Sequence, residues 1–186
     1  MGVGSQNWYP AGASAIDVDA ATLGIVYLPY AYDMLMIQYN IVGYAVADTA
    51  GFIFNGDIPL PPFFVGMYGD RHLHVAVGVT TLTNSQTLDG AIVRVSGLTT
   101  VQEQTGVAYV SAKYNSNAAQ SMTILNTTAS GSVSVAAPVS LLGNGIYLST
   151  INNAGGADIT EIEMKTAGGN NMLAGSGFAV FGFNAI

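Results

Sequence analysis

The stretch Ile159-Thr160-Glu161-Ile162-Glu163-Met164 alternates strictly between apolar and polar residues. A side-chain period of two is typical of a β-strand with one face on a core and the other in water. The same alternation recurs at Ser132-Val133-Ser134-Val135, and no stretch keeps apolar residues at helical spacing over three turns. The sequence therefore predicts an all-β protein.

Turn-forming residues separate the apolar stretches at intervals of about ten residues, the spacing of an antiparallel β-sandwich. Strands are predicted at residues 34–46, 49–54, 73–80, 91–96, 107–113, 121–125, 132–139, 145–151, 159–165 and 177–183. Turns are predicted between them, at residues 84–85, 115–117, 126–127, 143–144, 152–156 and 167–171, with a proline-rich loop at 58–64.

Two of these turn signals are specific. Asn55 and Gly56 both accept a positive φ, and Asp57 can cap their turn by accepting backbone N–H bonds. Gly175 and Ser176 are expected to let the last strand enter its sheet tightly. All five residues are interpreted as fold-forming rather than functional.

The chain is predicted to hold one sandwich domain over residues 15–186, preceded by an extended N-terminal arm over residues 1–14. The arm contains Trp8, the only tryptophan, followed by Tyr9. A frayed terminus and an arm that docks on a neighbour are both compatible with this stretch. Together with Tyr27 and Tyr30, these two aromatic residues are the predicted interface residues.

The composition favours a protein that is covered by other subunits. Only 8% of the residues are charged, whereas 50% are hydrophobic, and the chain has 10 tyrosines and 7 methionines. Soluble domains average about 25% charged residues, and tyrosine and methionine are enriched at interfaces. A surface kept soluble by uncharged polar residues is the alternative explanation.

Nucleic acid and membranes are not expected partners. The chain has 4 basic and 11 acidic residues, so its net charge is −7, and the basic residues are scattered singly. Binding of phosphate backbones needs clustered lysine and arginine. The most apolar region, residues 23–46, is interrupted by Pro29, Asp33, Gln38 and Asn40, which argues against a membrane span. The first residues lack the pattern of a secretory signal, so synthesis in a host cytoplasm is expected.

No catalytic, cofactor or metal site is predicted. The chain has no cysteine. His72 and His74 would share one face of a strand, but no third metal ligand accompanies them. Asp17 and Asp19 could offer two oxygens to calcium, yet the loop lacks the remaining ligands.

The other aspartates offer no catalytic pattern either. Asp33, Asp48 and Asp57 stand at strand ends and turns, where aspartate is common, so a carboxylate pair for glycoside cleavage is not favoured. The nucleophile-elbow, P-loop and dinucleotide-binding motifs are missing from the sequence. The chain is therefore predicted not to be an enzyme.

Two regions resemble a group of jelly-roll virion proteins of tailed bacteriophages. The first comprises residues 32–37, Ala47-Asp48-Thr49 and Phe52-Ile53-Phe54-Asn55-Gly56-Asp57; the second comprises residues 157–162, 171–176 and 178–182. Members of this group include capsid decoration proteins and parts of tails or fibres. The resemblance implies a jelly-roll fold and a structural role in a virion. The chain departs from the group in its proline-rich stretch after Asp57 and in its low charge.

The expected function is that of a capsid decoration (cement) protein on the outer capsid surface. Its expected partners are other copies of itself, as a homotrimer, and the major capsid protein or other virion proteins. The alternative is a tail-fibre or receptor-binding module that recognises a host glycan. A jelly-roll shell or filament subunit is disfavoured, because few basic residues are present to face packaged nucleic acid.

Overall fold

The computed structural model describes residues 7–46, 48, 50–56, 67–76, 79–88, 93–94, 102–113, 120–130, 139–147, 158–166 and 168–184. These residues form twelve strands and no helix. The strands are β1 (Tyr9–Ala15), β2 (Thr22–Tyr27), β3 (Met34–Ile41), β4 (Ala50–Phe54), β5 (Met67–Ala76), β6 (Val79–Leu88), β7 (Val93–Arg94), β8 (Gln102–Ser111), β9 (Gln120–Ser130), β10 (Val139–Tyr147), β11 (Glu161–Thr166) and β12 (Gly177–Phe183).

The strands form two sheets in which every pair of neighbours is antiparallel. The larger sheet has eight strands in the order β1-β12-β3-β8-β9-β10-β5-β6, and the smaller has four in the order β2-β11-β4-β7. The predicted all-β antiparallel sandwich is therefore confirmed.

The strand order is that of a jelly roll. When β5, β6, β9 and β10 are set aside, the remaining strands pair first with last (β1 and β12), second with second-to-last (β2 and β11), and so on inward to β4 and β7. This is the pattern of one long hairpin rolled into two sheets of four strands. The four other strands extend the larger sheet beyond β8.

The hydrophobic core lies between the two sheets. Phe52 of the smaller sheet has its ring 5.8 Å from that of Tyr39 and 6.0 Å from that of Phe178, both on the larger sheet. The strictly alternating stretch that predicted the fold supplies Ile162 and Met164 to this core. The core cluster consists of Val26, Leu28, Tyr32, Leu35, Ile37, Tyr39, Ile41, Tyr44, Ala50, Phe52, Phe54, Ala108, Val110, Ala112, Ile159, Ile162, Met164, Met172, Phe178 and Val180.

Three predicted turns are wrong. Residues 84–85 lie inside β6, residues 126–127 inside β9 and residues 143–144 inside β10. Each is paired in register with a neighbouring strand, as in Arg71 with Asn84 and Leu141 with Asn126, while Gly143 is paired on both sides. These ladders satisfy the backbone groups, and tertiary pairing overrides the local turn preference of asparagine, serine and glycine.

The predicted boundary of the N-terminal arm is also wrong. Residues 9–14 are not an arm but belong to β1, which pairs with β12 from Tyr9 opposite Gly182 to Ala15 opposite Gly177. The strand is rich in alanine and glycine and contains Pro10, so it lacks the β-branched residues that mark strands in a sequence. As an edge strand with a register shift between Pro10 and Gly12, it accommodates a proline.

Several other predictions fall outside the described residues. They are Asp57, the proline-rich loop at 58–64, the turns at 115–117 and 152–156, and most of the strand at 132–139.

Candidate interaction surface

On the outer face of the larger sheet, the outward positions of β1, β12, β3 and residues 105–111 of β8 carry no charged side chain. Buried core residues alternate along these strands with residues that point outward, as for Leu35 between Met34 and Met36. The outward positions are Pro10, Ala13, Ala15, Met34, Met36, Gln38, Asn40, Thr105, Val107, Tyr109, Ser111, Gly177, Ala179, Phe181 and Phe183.

Large apolar side chains gather at one end of this face. The ring of Trp8 lies 5.5 Å from that of Phe183 on β12 and 6.3 Å from that of Tyr109 on β8, so it spans the intervening β3, where Met34 pairs with Phe183. Trp8, Tyr109 and Met34 remain 36%, 37% and 39% exposed. We call Trp8, Met34, Tyr109 and Phe183 the aromatic ridge. An exposed apolar cluster of this kind marks an interaction site.

The opposite end of the same face is a shallow groove of about 660 Å³ with a floor of small residues. The small-residue groove is lined by Ala13, Ser14, Ala15, Gln38, Tyr39, Asn40, Gly175, Gly177, Phe178 and Ala179. The side-chain Oδ1 atom of Asn40 is buried and accepts no hydrogen bond from the described residues. A buried acceptor without a donor costs about 1–3 kcal/mol, so this end of the face favours a partner that brings a donor.

The outer face of the smaller sheet differs in charge. On β11 the outward residues are Glu161, Glu163 and Lys165, which alternate with the core residues of that strand. The neighbouring edge strand β2 adds Ile25 and Tyr27, both exposed. Of the two outer faces, this one is suited to water, because ionic groups are depleted at the centres of protein interfaces.

The four predicted interface residues all lie at one end of the sandwich. Trp8 belongs to the aromatic ridge, and Tyr9 begins β1 opposite Gly182. Tyr27, 68% exposed, ends β2 on the outer face of the smaller sheet, and Tyr30 packs its ring 4.6 Å from that of Tyr32. The structure thus brings Trp8 together with other aromatic residues of its own chain and places Tyr27 on a different face.

Sequence reasoning missed Met34, Tyr109 and Phe183 as surface residues. In residues 34–37 four apolar residues follow one another, which hides the alternation that places Met34 and Met36 outward. Tyr109 stood in a correctly predicted strand, and its outward direction follows from the burial of Ala108 and Val110 on either side.

Because Tyr32 is buried, the stability of the fold depends on pH in the alkaline range. Burial, with a smaller contribution from the neighbouring Tyr30 hydroxyl, raises the pKa of Tyr32 to about 12. The unfolded chain loses this proton from about pH 10, so stability is complete below that pH and falls between about pH 10 and 12. We expect Tyr32→Phe to show a smaller loss than wild type when urea unfolding is measured across this range. Equal losses of stability in Tyr32→Phe and wild type would show that Tyr32 does not cause this pH dependence.

The turn residues inferred from the sequence hold distant segments together. Asn55 and Gly56 have φ values of 55° and 65°. The Oδ1 atom of Asn55 accepts the N–H of Thr160 at 2.8 Å, and its Nδ2 donates to the carbonyl of Asp158 at 3.0 Å. The turn after β4 is thereby joined to the start of β11.

Ser176 makes a second link of this kind. Its Oγ donates to the carbonyl of Leu173 at 2.7 Å and accepts the N–H of Val42 at 3.1 Å. Gly175, beside it, has a φ of 89°, a conformation that favours glycine.

Two of the aspartates considered for catalysis or calcium accept hydrogen bonds from the backbone of loops. Asp48 accepts the N–H groups of Gly168 and Asn170 at 2.8 and 2.9 Å. Asp19 accepts the N–H of Ala174 at 2.9 Å.

Asp33 lies 3.3 Å from the ammonium group of Lys113. Among the described side chains no three histidine, aspartate or glutamate residues lie close enough together to hold a metal ion. His72 and His74 both lie in strand β5.

The part of the chain that the structure describes contains no helix with the length and apolar character of a membrane span. Comparison of the chain with protein-family models, with curated proteins and with solved structures found no match. The arguments for function therefore rest on the geometry above and on the sequence resemblance.

Proposed function

We propose that this chain is a structural protein of a bacteriophage virion, and that it acts as a capsid decoration protein on the outer shell. The observation that carries the proposal is the outer face of β1, β12, β3 and residues 105–111 of β8, where the outward positions carry no charge and large apolar residues lie at one end. The jelly-roll fold agrees with this role, since viral capsid domains use it, although the same fold serves lectins and other proteins.

The physical reason is the cost of leaving such a face in water. Covering apolar area contributes about 25 cal/mol per Å² before the costs of association are subtracted. Tyrosine, tryptophan and methionine are the residues that dominate interface centres, and all three occur on this face. A decoration protein adds contacts of this kind between capsomers, and its proposed partners are the major capsid protein and further copies of itself.

Particle binding tests the proposal. Recombinant protein should cosediment with gradient-purified phage capsids and reach hundreds of copies per particle. Tyr109→Ala should weaken this binding about tenfold or more, because it truncates an exposed side chain of the face that contacts either the capsid protein or a further copy of the chain. Tyr27→Ala, a change of the same type on the outer face of the smaller sheet, should leave it nearly unchanged.

The two variants show which outer face of the sandwich binds the capsid. Loss of binding in Tyr27→Ala but not in Tyr109→Ala would move the contact to the smaller sheet. Wild-type protein that cosediments with no capsid would overturn the decoration role.

The small-residue groove supports a second candidate, a tail-fibre module that binds a host glycan. Gln38 and Asn40 place two amide groups beside a shallow floor of alanine and glycine. Amides of this kind orient sugar hydroxyls, and concave sites with few polar groups are the usual ligand sites. Binding to bacterial surface polysaccharide that Gln38→Ala abolishes, with only a few copies per particle, would favour this function over decoration.

A further inference from the structure

We infer that the outer face of the larger sheet pairs with the same face of a second copy of this chain, so that the aromatic ridge of each copy fills the small-residue groove of the other. The inference deepens the proposed function and rests on it, because it names the partner that covers the uncharged face.

The geometry provides ridge and groove on the same strands. Met34 in the ridge and Asn40 in the groove are six residues apart on β3, or about 20 Å at about 3.4 Å per residue. A two-fold axis in the interface plane, perpendicular to the strands near residue 37, reverses the strand direction. It places Phe183 of one copy over Gly177 of the other.

The same operation places Phe181 over Ala179 on the neighbouring row. Bulky side chains of one copy therefore meet glycine and alanine of the other at both ends of the interface. This self-complementarity is what an isologous two-fold contact requires.

Polar groups complement one another in the same arrangement. The ridge carries two hydrogen-bond donors, the indole N–H of Trp8 and the hydroxyl of Tyr109. The groove carries the amide oxygens of Gln38 and Asn40, of which the Asn40 Oδ1 is buried and accepts no hydrogen bond from the described residues. In the pair, the ridge donors of one copy face the amide groups of the other copy's groove.

The distribution of charge favours pairing through the larger sheet over pairing through the smaller one. Each copy has a net charge of −7, so two copies repel one another at a distance. Pairing through the smaller sheet would remove Glu161, Glu163 and Lys165 of both copies from water, which costs free energy. Pairing through the larger sheet brings together the outward positions of β1, β12, β3 and residues 105–111 of β8, which carry no charge.

The available area is sufficient for a stable pair. At about 4.8 Å between strands and about 3.4 Å per residue, seven residues of four strands cover about 460 Å². The eight strands of the whole sheet cover about 900 Å², against about 800 Å² per partner in a standard interface. Seven strands are needed to reach about 800 Å², so the contact must extend from the ridge and groove across β9, β10 and β5.

Analytical ultracentrifugation of the full chain over a wide concentration range tests the pairing. Wild type should form a dimer. Met34→Glu and Asn40→Lys should each raise the dimer dissociation constant about tenfold or more, since each leaves an unpaired charge in the contact. Ile25→Glu, at a position 42% exposed on the outer face of the smaller sheet, is the matched control and should leave it within about twofold.

The double variant Met34→Glu/Asn40→Lys distinguishes ridge-in-groove pairing from nonspecific association. Within one chain the two positions are about 20 Å apart along β3, too far for a direct ion pair. In the pair, residue 34 of one copy lies over residue 40 of the other, so each glutamate faces the partner's lysine and we expect association to recover most of the loss. Circular dichroism checks that all variants are folded.

Three results would overturn the inference: a monomer at every concentration, a trimer as the smallest assembly, or a double variant no better than the singles. A monomer that still binds capsids, with binding lost in Met34→Glu, would assign the face to the shell protein and leave the proposed function intact. A dimer that binds no capsid would leave the pairing intact and remove the proposed function.

Discussion

Replacement of Asn55 by alanine is expected to lower the free energy of unfolding by about 3 kcal/mol, which combines lost hydrogen bonds and backbone strain. The side chain of Asn55 makes hydrogen bonds with the backbone at Asp158, Thr160 and Glu161, between 2.8 and 3.2 Å. Each contributes about 1 kcal/mol, and less at Thr160, which is exposed so that water replaces the bond. The φ of 55° adds about 1–2 kcal/mol of cost for alanine.

Asn55→Gly separates these two contributions, because glycine adopts the positive φ without strain and lacks the side chain. We expect its loss to be about 1–2 kcal/mol, smaller than that of Asn55→Ala. Urea unfolding, monitored by circular dichroism, measures the loss of unfolding free energy in both variants. Equal losses in the two variants would show that backbone conformation contributes nothing, and a loss below about 0.5 kcal/mol in Asn55→Gly would show that the side chain does not join the segments.

Asn55 also explains why two distant stretches of sequence carried the resemblance to virion proteins. Residues 52–57 and 157–162 are far apart in the chain, and Asn55 and Asp158 are separated by 103 positions. In the fold they meet at one end of the smaller sheet, where β4 and β11 are neighbours. The motifs therefore specify how the roll closes, in agreement with their interpretation as fold-forming residues.

Strand alternation and glycine-containing turns were sufficient to predict the all-β sandwich. Residues 161–166 alternate as expected, with Ile162, Met164 and Thr166 buried. The periodicity is a direct consequence of one core face, so it can be read from a single strand. The order of strands cannot be read from a single strand, because β1 pairs with β12 and β2 pairs with β11 across nearly the whole chain.

The strands of the β5–β6 and β9–β10 extensions were predicted only in part, with strands at residues 73–80, 121–125 and 145–151 and turns inside β6, β9 and β10. They are rich in threonine, asparagine, serine and glutamine, as in β6 (Val79–Leu88). Such residues favour turns in isolation but also form strands when a neighbouring strand pairs with their backbone. Sequence pattern alone does not show whether a neighbour is present to pair with them.

The interaction surface could be predicted only in part. Trp8 and Tyr9 were identified by residue type, but their relation to Tyr109 and Phe183 depends on β12, β3 and β8 lying side by side. The low overall charge indicated that some face is covered. Only the structure shows that the uncharged positions are concentrated on the larger sheet, whereas Glu161 and Glu163 lie on the smaller one.

The second large effect is expected at Gly182, where alanine should lower the free energy of unfolding by about 2–3 kcal/mol. Gly182 is a buried residue of β12, and the position of an added Cβ is occupied by the ring of Tyr32. That ring is 1% exposed and is packed against Tyr30, so it has no free space into which to move. Gly24→Ala is the matched control, because a Cβ there meets only the Oγ of Ser14, at 3.1 Å, and that side chain can rotate.

A double-mutant cycle with Tyr32→Leu identifies the ring as the cause. Tyr32→Leu leaves a cavity and is destabilising by itself, but it removes the atoms that an alanine at position 182 would strike. The methyl group of Gly182→Ala should therefore cost at least about 1 kcal/mol less in the Tyr32→Leu background than in wild type. Thermal and urea unfolding of the four proteins measure this difference. Strictly additive losses would mean that Gly182 is required for backbone conformation rather than for the close approach of Tyr32. The Tyr32 ring would then not be the cause of the destabilisation.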